Sequence, residues 1–315
     1  MSGGSTERPL VSVGVPVYNG EPHLRETLDS LVAQDYRPLE VVISDNASTD
    51  ATPAICREYA DRYPWLRYHR NDANIGAWRN FNQLPDMARG SFFMWVGAHD
   101  LLHPSYVRRC VEILESDPGV VAAYSRGRLV DAEGTPQEQR LDEIDTRGLS
   151  TLARYLKVIW QTVSCTAAHA VIRTDVLRRT GRFRLDVWGA DHLLLAELSL
   201  EGSCGQVPET LFTLRDPRGV QTPEVHHRRV AMAIDPQQAD RLAQTAPGEL
   251  WRKTCLAHLE ALGQSRLPFG KRLYAQLATL VCFHIRWLIP LTRIRPVDHV
   301  LSVAIHRSRI RRLLA

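Results

Sequence analysis

Four short strand-like runs in the first hundred residues, each ending in a polar loop, constrain the fold of this chain most strongly. The runs cover Val11–Val15, Glu40–Ser44, Leu66–Arg70 and Phe92–Val96. Helical segments, with apolar residues at helical spacing, separate the strand-like runs. The helical segments cover Leu24–Gln34, a stretch ending at Arg62, and Ala77–Arg89. Strands and helices that alternate in this way predict an α/β fold with a mainly parallel, twisted sheet flanked by helices.

Each run is followed by a polar loop. The loops contain Tyr18 and Asn19, Asp45 and Asn46, Asn74 and Gly76, and finally His99 and Asp100. Because open α/β sheets bind ligands outside the carboxyl ends of their strands, we expect the four loops to line one cleft. Gly97 and Ala98 are small enough to let a ligand approach the backbone beside Asp100.

The loops exclude two common phosphate-binding motifs. No GxGxxG turn follows the first strand and no GxxxxGKS/T sequence occurs, so neither a standard dinucleotide-binding turn nor a P-loop is present. A divalent cation on Asp100 is the simplest means of neutralising a bound diphosphate, because such an ion bridges two phosphate oxygens. Asp100 alone would equally fit a residue that shapes a turn.

Composition bounds the partners and the compartment. The net charge of +4 is too small to indicate nucleic-acid binding, so no nucleic-acid partner is expected. The six cysteines form no CxxC pair and no zinc-ligand spacing, which is typical of reduced thiols in a cytoplasmic protein. Residues 1–8 lack the layout of a signal peptide and are expected to form a flexible lead.

Four segments resemble, in their order and spacing, the N-terminal half of the family 2 glycosyltransferases. The segments are VSVGVPVYNG, VVISDNASTDAT, NDANIGAWRN and FMWVGAHDLLHP, and the resemblance runs from about Val11 to Leu102. Four loops in register are far more specific than any one of them. The resemblance implies the GT-A fold and an enzyme that transfers a sugar, with inversion, from a nucleotide-diphosphate donor to a hydroxyl acceptor.

The resemblance also implies which residues bind the donor. Pro16, Val17 and Tyr18 would border the nucleotide base, and Asp45 would accept a hydrogen bond from it. The remaining donor-binding candidates are Asn74, Arg79, His99, Asp100 and Arg215. Arg215 would stabilise the diphosphate leaving group, although an exposed arginine that only contacts solvent fits the sequence equally well.

The sequence Ala98-His99-Asp100 departs from the acidic motif that the family usually carries. By resemblance, Asp100 would be the metal ligand that closes the DxD motif, with Mn²⁺ or Mg²⁺ as the expected cofactor. One carboxylate holds such an ion when diphosphate oxygens and waters complete its shell, so metal should bind weakly without donor. His99 would hydrogen-bond a ribose hydroxyl or ligate Mn²⁺.

Asp191 precedes the apolar segment LLLAELSLEG and is the candidate catalytic residue. By resemblance it is the general base, which removes the acceptor proton while the hydroxyl attacks the anomeric carbon. It would also suit a helix N-cap, where backbone N–H groups hold a carboxylate ionised at neutral pH. His192 is the reserve base. Trp188 and His192 are the predicted acceptor-binding residues, and Trp188 is equally suited to core packing.

Residues 105–216 are predicted to complete a transferase domain, residues 9–216, whose nucleotide-binding half covers 9–104. The expected elements are a helix over Ser105–Glu115, a strand over Val120–Ser125, a surface excursion over Ala132–Leu149, a helix over Thr151–Ile159, a strand over Cys165–Ile172 and a last pair of strands over Gly205–Pro208 and Glu209–Leu214. A lone histidine in such a strand, His169, is expected to be packed and not to ligate a metal.

Residues 217–315 are predicted to form a helical, basic C-terminal extension. The apolar stretch Leu273–Leu291 is interrupted by polar residues and Pro290, so it is not expected to span a membrane. Helices that are both apolar and cationic either lie on an anionic membrane surface or pack on the catalytic domain. Peripheral contact with the inner face of the membrane would suit a lipid-linked acceptor.

The favoured function is therefore an inverting glycosyltransferase of cell-surface or secondary-metabolite glycan synthesis. The altered motif at Asp100 keeps open a non-catalytic nucleotide-sugar-binding or scaffold protein, which would bind donor without turnover. A nucleotidyltransferase is a weaker alternative, because those enzymes usually present a glycine-rich, basic loop after the first strand. Val15–Gly20 offers no such loop.

Overall fold

The computed structural model describes residues 8–138, 141–162, 164–216, 223–245 and 247–285 of the 315-residue chain. Within these residues eight strands form one sheet, in the order β3-β2-β1-β4-β7-β6-β8-β5. The strands are β1 (Val11–Val17), β2 (Leu39–Asp45), β3 (Leu66–Arg70), β4 (Phe92–Trp95), β5 (Leu101–Leu102), β6 (Val120–Val130), β7 (Val171–Arg173) and β8 (Ser203–Arg215). The first four strands are mutually parallel, as predicted, whereas β5 and β7 run antiparallel to their neighbours.

Helices cover both faces of this sheet. They are α1 (Leu24–Val32), α2 (Thr52–Arg62), α3 (Ala77–Met87), α4 (Tyr106–Ser116), α5 (Thr151–Gln161), α6 (Thr174–Leu177), α7 (Ala190–Glu201), α8 (Pro223–Ile234), α9 (Ala239–Ala243), α10 (Pro247–Gln264) and α11 (Phe269–Phe283). Two 3₁₀ helices cover Thr166–His169 and Pro236–Gln238. The predicted α/β architecture, with helices continuing after residue 216, is confirmed.

The central strands supply two hydrophobic cores, because successive side chains of a strand point to opposite faces. Val13 and Val15 of β1 pack in the core that α1, α2 and α4 cover. Phe93 and Trp95 of β4 pack in the other core, against α3, α5 and α7. Burial on both faces explains why these parallel strands are continuous apolar runs in the sequence.

The predicted strand over Cys165–Ile172 is wrong in its first half. Cys165 has a left-handed backbone with φ 51°, and Thr166–His169 forms a 3₁₀ helix that precedes the short strand β7. His169 is packed, as expected, because its ring stacks on Phe212 with centroids 5.1 Å apart. Apolar runs of this length do not distinguish a strand from a buried helical turn.

The predicted pair of strands over Gly205–Pro208 and Glu209–Leu214 is one strand, β8. It pairs in parallel with β6, and a register shift between Val207 and Thr210 leaves two residues of β8 unpaired. Pro208 is one of them, because proline lacks the N–H that a ladder needs. Beyond this bulge the other edge of β8 pairs with β5.

The segment Ala132–Leu149 is only partly the predicted surface excursion. Leu141, Ile144 and Thr146 are buried. The Tyr124 hydroxyl donates to the Ile144 carbonyl at 3.1 Å, and the Thr146 N–H donates to the Cys204 carbonyl at 2.8 Å. These individual hydrogen bonds to β6 and β8 hold the segment against the sheet, so it is buried although its sequence has no apolar periodicity. Residues 139 and 140 lie outside the described residues.

Helices α10 and α11 share a core with the sheet. Ala257 and Leu262 of α10, with Ala275 and Cys282 of α11, belong to the core on the α5 and α7 face. None of the described helices is both long and apolar enough to cross a membrane. The basic sequence after residue 285 lies outside the described residues.

Candidate active site

Side-chain amides tie the loops after β1, β2 and β3 together at one edge of the sheet. Asn19 of the first loop accepts from the Thr49 N–H of the second at 2.9 Å through its Oδ1. Asn46 of the second loop donates to Asn74 Oδ1 in the third at 2.8 Å, and its own Oδ1 accepts from Ile75 N at 3.0 Å. The three loops therefore lie at one edge, as the strand directions predicted.

Asp45 ends β2 with a fully buried carboxylate. Its Oδ1 accepts from the Ser48 N–H at 2.8 Å, and its Oδ2 accepts from the Tyr68 hydroxyl at 2.8 Å and from Arg70 Nη1 at 3.1 Å. A carboxylate has about four acceptor positions, so these three donors leave capacity for one more. Tyr18 is 50% exposed beside it, whereas Pro16 and Val17 are buried in β1.

Asn74 and Arg79 have partners within the chain. Asn74 Oδ1 accepts from the Gly76 N–H at 2.9 Å and so shapes the turn into α3. Arg79 Nη2 lies 3.7 Å from Asp235 Oδ2, just after α8. The Arg79 guanidinium therefore faces the C-terminal extension, and its nearness to a nucleotide stays a prediction.

Asp100 is buried at the end of the loop that follows β4. Its Oδ1 accepts from the Arg215 N–H at 3.0 Å. A Cβ on Gly97 would lie 2.6 Å from Asp100 Oδ2, so only glycine lets the carboxylate fold back over this turn. His99 is partly exposed, and its Nε2 lies 3.9 Å from Asp100 Oδ1.

Arg215 links Asp100 to the start of α1. Its side chain is buried, which excludes the alternative of an exposed arginine that only contacts solvent. Arg215 Nη2 donates to Glu26 Oε2 at 2.8 Å, and Nη1 donates to His23 Nδ1 at 2.7 Å. Burial and the Arg215 charge lower the pKa of His23, which suits an imidazole that accepts from a guanidinium.

Asp191 lies inside the first turn of α7, and the helix N-cap is Gly189. Gly189 has φ 68°, a conformation that favours glycine. Asp191 Oδ1 accepts from the His192 N–H at 2.8 Å, and the Cys165 side chain is a second hydrogen-bond partner. Burial raises the pKa of the Asp191 carboxyl above its ordinary value, and the hydrogen bonds from the His192 N–H and Cys165 oppose this shift.

Asp142 supports Asp191 indirectly, through Cys165. It lies in the segment Ala132–Leu149, which has no apolar periodicity in the sequence. Its Oδ2 accepts from the N–H groups of Ser164 at 2.8 Å and of Cys165 at 2.9 Å. These bonds hold the left-handed Cys165 against Asp191, and the Asp142 charge raises the pKa of Asp191 further. The pair of acidic residues Asp142 and Glu143, between the apolar Leu141 and Ile144, was the only signal of this role in the sequence.

The 3₁₀ helix Thr166–His169 connects Asp191 to the end of β4. It begins next to Cys165, which contacts Asp191, and at its other end His169 Nδ1 lies 3.3 Å from the Trp95 carbonyl. Trp95 is the last residue of β4, and Asp100 follows in the next loop. Asp100 and Asp191 therefore both flank the carboxyl end of β4, and Asp45 ends the parallel strand β2 at the same edge.

Comparison with known proteins identifies the family of the chain. The glycosyl transferase family 2 profile matches residues 12–181, more than half of the chain. The chain belongs to this family. An uncharacterised glycosyltransferase of Rickettsia typhi is 31% identical over 128 residues, which are 40% of this chain and 39% of that protein. An uncharacterised protein of Mycobacterium tuberculosis is 30% identical over 201 residues, 63% of this chain and 56% of that protein. The chain thus matches about half, or less, of these relatives.

Two solved structures share the fold. S. aureus TarS 1–349, in complex with UDP-GlcNAc, has a TM-score of 0.66 at 17% identity, over 94% of this chain and 80% of that one. The mannosyltransferase PcManGT from Pyrobaculum calidifontis, in complex with GDP-Man and Mn²⁺, has a TM-score of 0.54 at 21% identity, over 95% and 80%. The GT-A-type architecture expected of this family 2 glycosyltransferase is therefore confirmed.

His192 faces the packed helices. Its ring is buried, and its Nδ1 lies 3.3 Å from Nε2 of His258 on α10. His258 is also buried, and its Nδ1 lies 3.3 Å from the Tyr155 hydroxyl of α5. Burial lowers the pKa of His258 to about 3, so the His258 ring is neutral at pH 7. These contacts favour Asp191 over His192 as the base.

Trp188 is half-buried in the loop before α7, and α10 holds this loop. The Trp188 N–H donates to Thr254 Oγ1 at 3.1 Å, and the Thr254 hydroxyl donates to the Trp188 carbonyl at 2.6 Å. Helix α10 lies beyond the family match, so no motif of the family predicts this support.

The residues near β4 suit a metal ion that arrives with a diphosphate. Among the residues that the structure describes, no three His, Cys, Asp or Glu side chains gather into a metal site. Mg²⁺ sites commonly combine one or two carboxylates with substrate phosphates and waters, and Mn²⁺ shares this preference for oxygen ligands. Asp100 supplies one carboxylate at the predicted position, with His99 beside it, so the donor set fits.

Proposed function

We propose that this glycosyltransferase transfers a sugar from a nucleotide-diphosphate donor to an acceptor hydroxyl with inversion at the anomeric carbon. The observation that carries the proposal is the pair of carboxylates at the end of β4. Asp100 has a position suited to the leaving diphosphate, and Asp191 has one suited to the incoming hydroxyl. The family match and the donors in the two solved neighbours support the same class of reaction.

Asp191 is the proposed general base. The acceptor oxygen forms a bond to the anomeric carbon on the side opposite the diphosphate, while the bond from that carbon to the phosphate oxygen breaks. The acceptor proton passes to Asp191, and the electron pair of the broken bond leaves with the diphosphate. A carboxylate whose pKa is raised by burial takes a proton more readily than an ordinary one, which favours this role.

The donor would lie across the loops of the first four strands. Tyr18 offers an exposed ring to the nucleotide base, and Asp45 has an acceptor position left for a base N–H. Asn74 and Arg79 would border the nucleotide, and His99 would contact the ribose. Arg215 would stabilise the diphosphate from beside Asp100, with His23 and Glu26 fixing its guanidinium.

Asp100 is the proposed ligand of Mn²⁺ or Mg²⁺. A bound ion would offset the charge that develops on the departing diphosphate. The carboxylate is held by the Arg215 N–H and by the Gly97 turn, so it is positioned before donor binds. Because the carboxylate is already positioned, less conformational entropy is lost when metal and donor bind.

A thermal-shift and turnover experiment tests the function. We expect either UDP-GlcNAc or GDP-mannose, the donors of the two solved neighbours, to raise the melting temperature, and Mn²⁺ to increase the rise. At a ligand concentration about 100 times Kd, stabilisation should reach about 2.7 kcal/mol, which is several degrees for a domain of this size. The protein should also release the nucleoside diphosphate from the same donor. Stabilisation without release would favour the alternative of a non-catalytic nucleotide-sugar-binding protein.

We also propose that α11 rests on an anionic membrane at the inner, cytoplasmic face, where a lipid-linked acceptor of glycan synthesis would be presented. One face of α11 carries six large apolar side chains that are 46% to 73% exposed, namely Phe269, Leu273, Tyr274, Leu277, Leu280 and Val281. The helix carries Lys271 and Arg272 and no acid, and residues 286–315 contain seven arginines and one aspartate. Apolar area beside cationic residues is typical of helices that bind anionic bilayers.

Vesicle flotation tests the membrane contact. The protein should float with phosphatidylglycerol vesicles and not with phosphatidylcholine vesicles. Combining Leu277→Ser with Leu280→Ser should weaken flotation at least about tenfold, because each leucine contributes more than about 1.5 kcal/mol of burial. Val225→Ser on α8, which is 53% exposed, is the matched control and should float like the wild type. Equal flotation of the α11 variant would contradict the proposal.

A further inference from the structure

Two tryptophans from distant parts of the chain lie side by side next to the proposed base. Trp188 precedes α7, and Trp251 lies on α10, beyond the part of the chain that matches the family. Their ring centroids are 6.1 Å apart and their planes are tilted by 44°. Both side chains are half-buried, and neither belongs to the two core clusters formed by the described residues.

Gly189 shows how close this pair is to Asp191. A Cβ placed on Gly189 would lie 4.0 Å from Asp191 Oδ1 and 4.0 Å from Trp251 Cζ3. The base and the indole therefore border the same small volume, which the glycine leaves without a side chain. The positive φ of Gly189 disfavours any residue that would fill it.

Helix α10 holds the backbone of both tryptophans. Trp251 is part of the helix, and Thr254, one turn later, bonds both the N–H and the carbonyl of Trp188. Core packing from Ala257 and Leu262 anchors the same helix to the sheet domain. The pair is thus held in place before any ligand binds, which lowers the ordering cost of binding.

We propose that Trp188 and Trp251 form an acceptor subsite for a carbohydrate, whose pyranose ring packs its C–H face on the indoles while a ring hydroxyl reaches Asp191. Large, rigid aromatic faces suit the apolar face of a sugar, and the tilt of the pair forms a shallow wedge. This inference rests on the proposed function, because Asp191 must be the base. It names the acceptor as a sugar and assigns its recognition to the C-terminal extension.

Saturation-transfer difference NMR with methyl glycosides tests the subsite. The probes are methyl glucoside, galactoside, mannoside and N-acetylglucosaminide, added to the full chain with Mn²⁺ and each of UDP and GDP. We expect ring C–H protons of at least one glycoside to receive saturation. Trp251→Ala should weaken that binding at least about fivefold, as expected for loss of an aromatic contact, while Trp251→Phe should retain most of it. Leu256→Ala, exposed on the same helix, is the control and should bind as the wild type does.

The outcomes separate this inference from the proposed function. Failure of both nucleotides to raise the melting temperature would count against the donor site. Nucleotide binding without binding of any glycoside, or equal glycoside binding by Trp251→Ala and the wild type, would overturn the carbohydrate subsite alone. The nucleotide-induced rise in melting temperature should be the same in Trp251→Ala and the wild type, which shows that the variant is folded.

Discussion

The variant Asp191→Asn should lose about 10³-fold in kcat for transfer, within the range that general-base catalysis contributes. Asparagine has nearly the same shape, and its side-chain oxygen can still accept from the His192 N–H that Asp191 binds at 2.8 Å. It cannot take the acceptor proton, so the loss should fall on kcat and leave the donor KM unchanged. Release of nucleoside diphosphate, followed with and without acceptor, measures both constants.

Asp186→Asn is the matched control for this experiment. Asp186 lies five residues before Asp191, is 62% exposed and pairs with Arg184, so its variant should change kcat less than about twofold. If Asp191→Asn kept more than a tenth of the wild-type kcat, the base would have to be another residue. Burial also raises the pKa of Asp191, so wild-type activity should fall as pH decreases through that pKa, because the protonated carboxyl cannot act as base.

The sheet and the donor-side loops could be predicted because their signals are local. An apolar run predicts the strand, and the residues that end it, Asp45 or Gly97-Ala98, predict the loop. Both signals lie within ten positions of the sequence. Parallel pairing then brings the ends of β1, β2 and β4 to one edge without any further information.

The surroundings of Asp191 could not be predicted from local sequence signals, because its contacts join distant segments. Asp142 supports Cys165, Cys165 contacts Asp191, and Trp251 borders the same volume from a helix sixty positions later. The residues of each pair are too far apart in the sequence for a helical or strand repeat to relate them. Burial and the Asp142 charge raise the pKa of Asp191, and neither contribution could be predicted from its place at a helix start.

The family resemblance assigned roles to Arg79, Arg215 and His192, and the structure adds partners that the sequence does not show. Arg79 faces Asp235, and Arg215 bonds Glu26. His192 packs on His258, whose ring contacts Phe283 and so connects α7 to the end of α11. These contacts join the start of α3, which carries Arg79, and helix α7, which carries Asp191, to the C-terminal helices. The extension is therefore part of the structure that positions the site.

The variant Asp100→Asn should lower kcat at least about 100-fold, because the proposed metal site loses its carboxylate and with it several kcal/mol of leaving-group stabilisation. Asparagine keeps an oxygen for the Arg215 N–H, so the fold should be retained. EDTA should abolish the activity of the wild type, and Mn²⁺ should restore it. Asp72→Asn, an exposed carboxylate in the loop after β3, is the control and should retain wild-type activity. Wild-type turnover that persists in EDTA, or an Asp100→Asn variant with more than a third of that turnover, would show that the diphosphate leaves without this carboxylate.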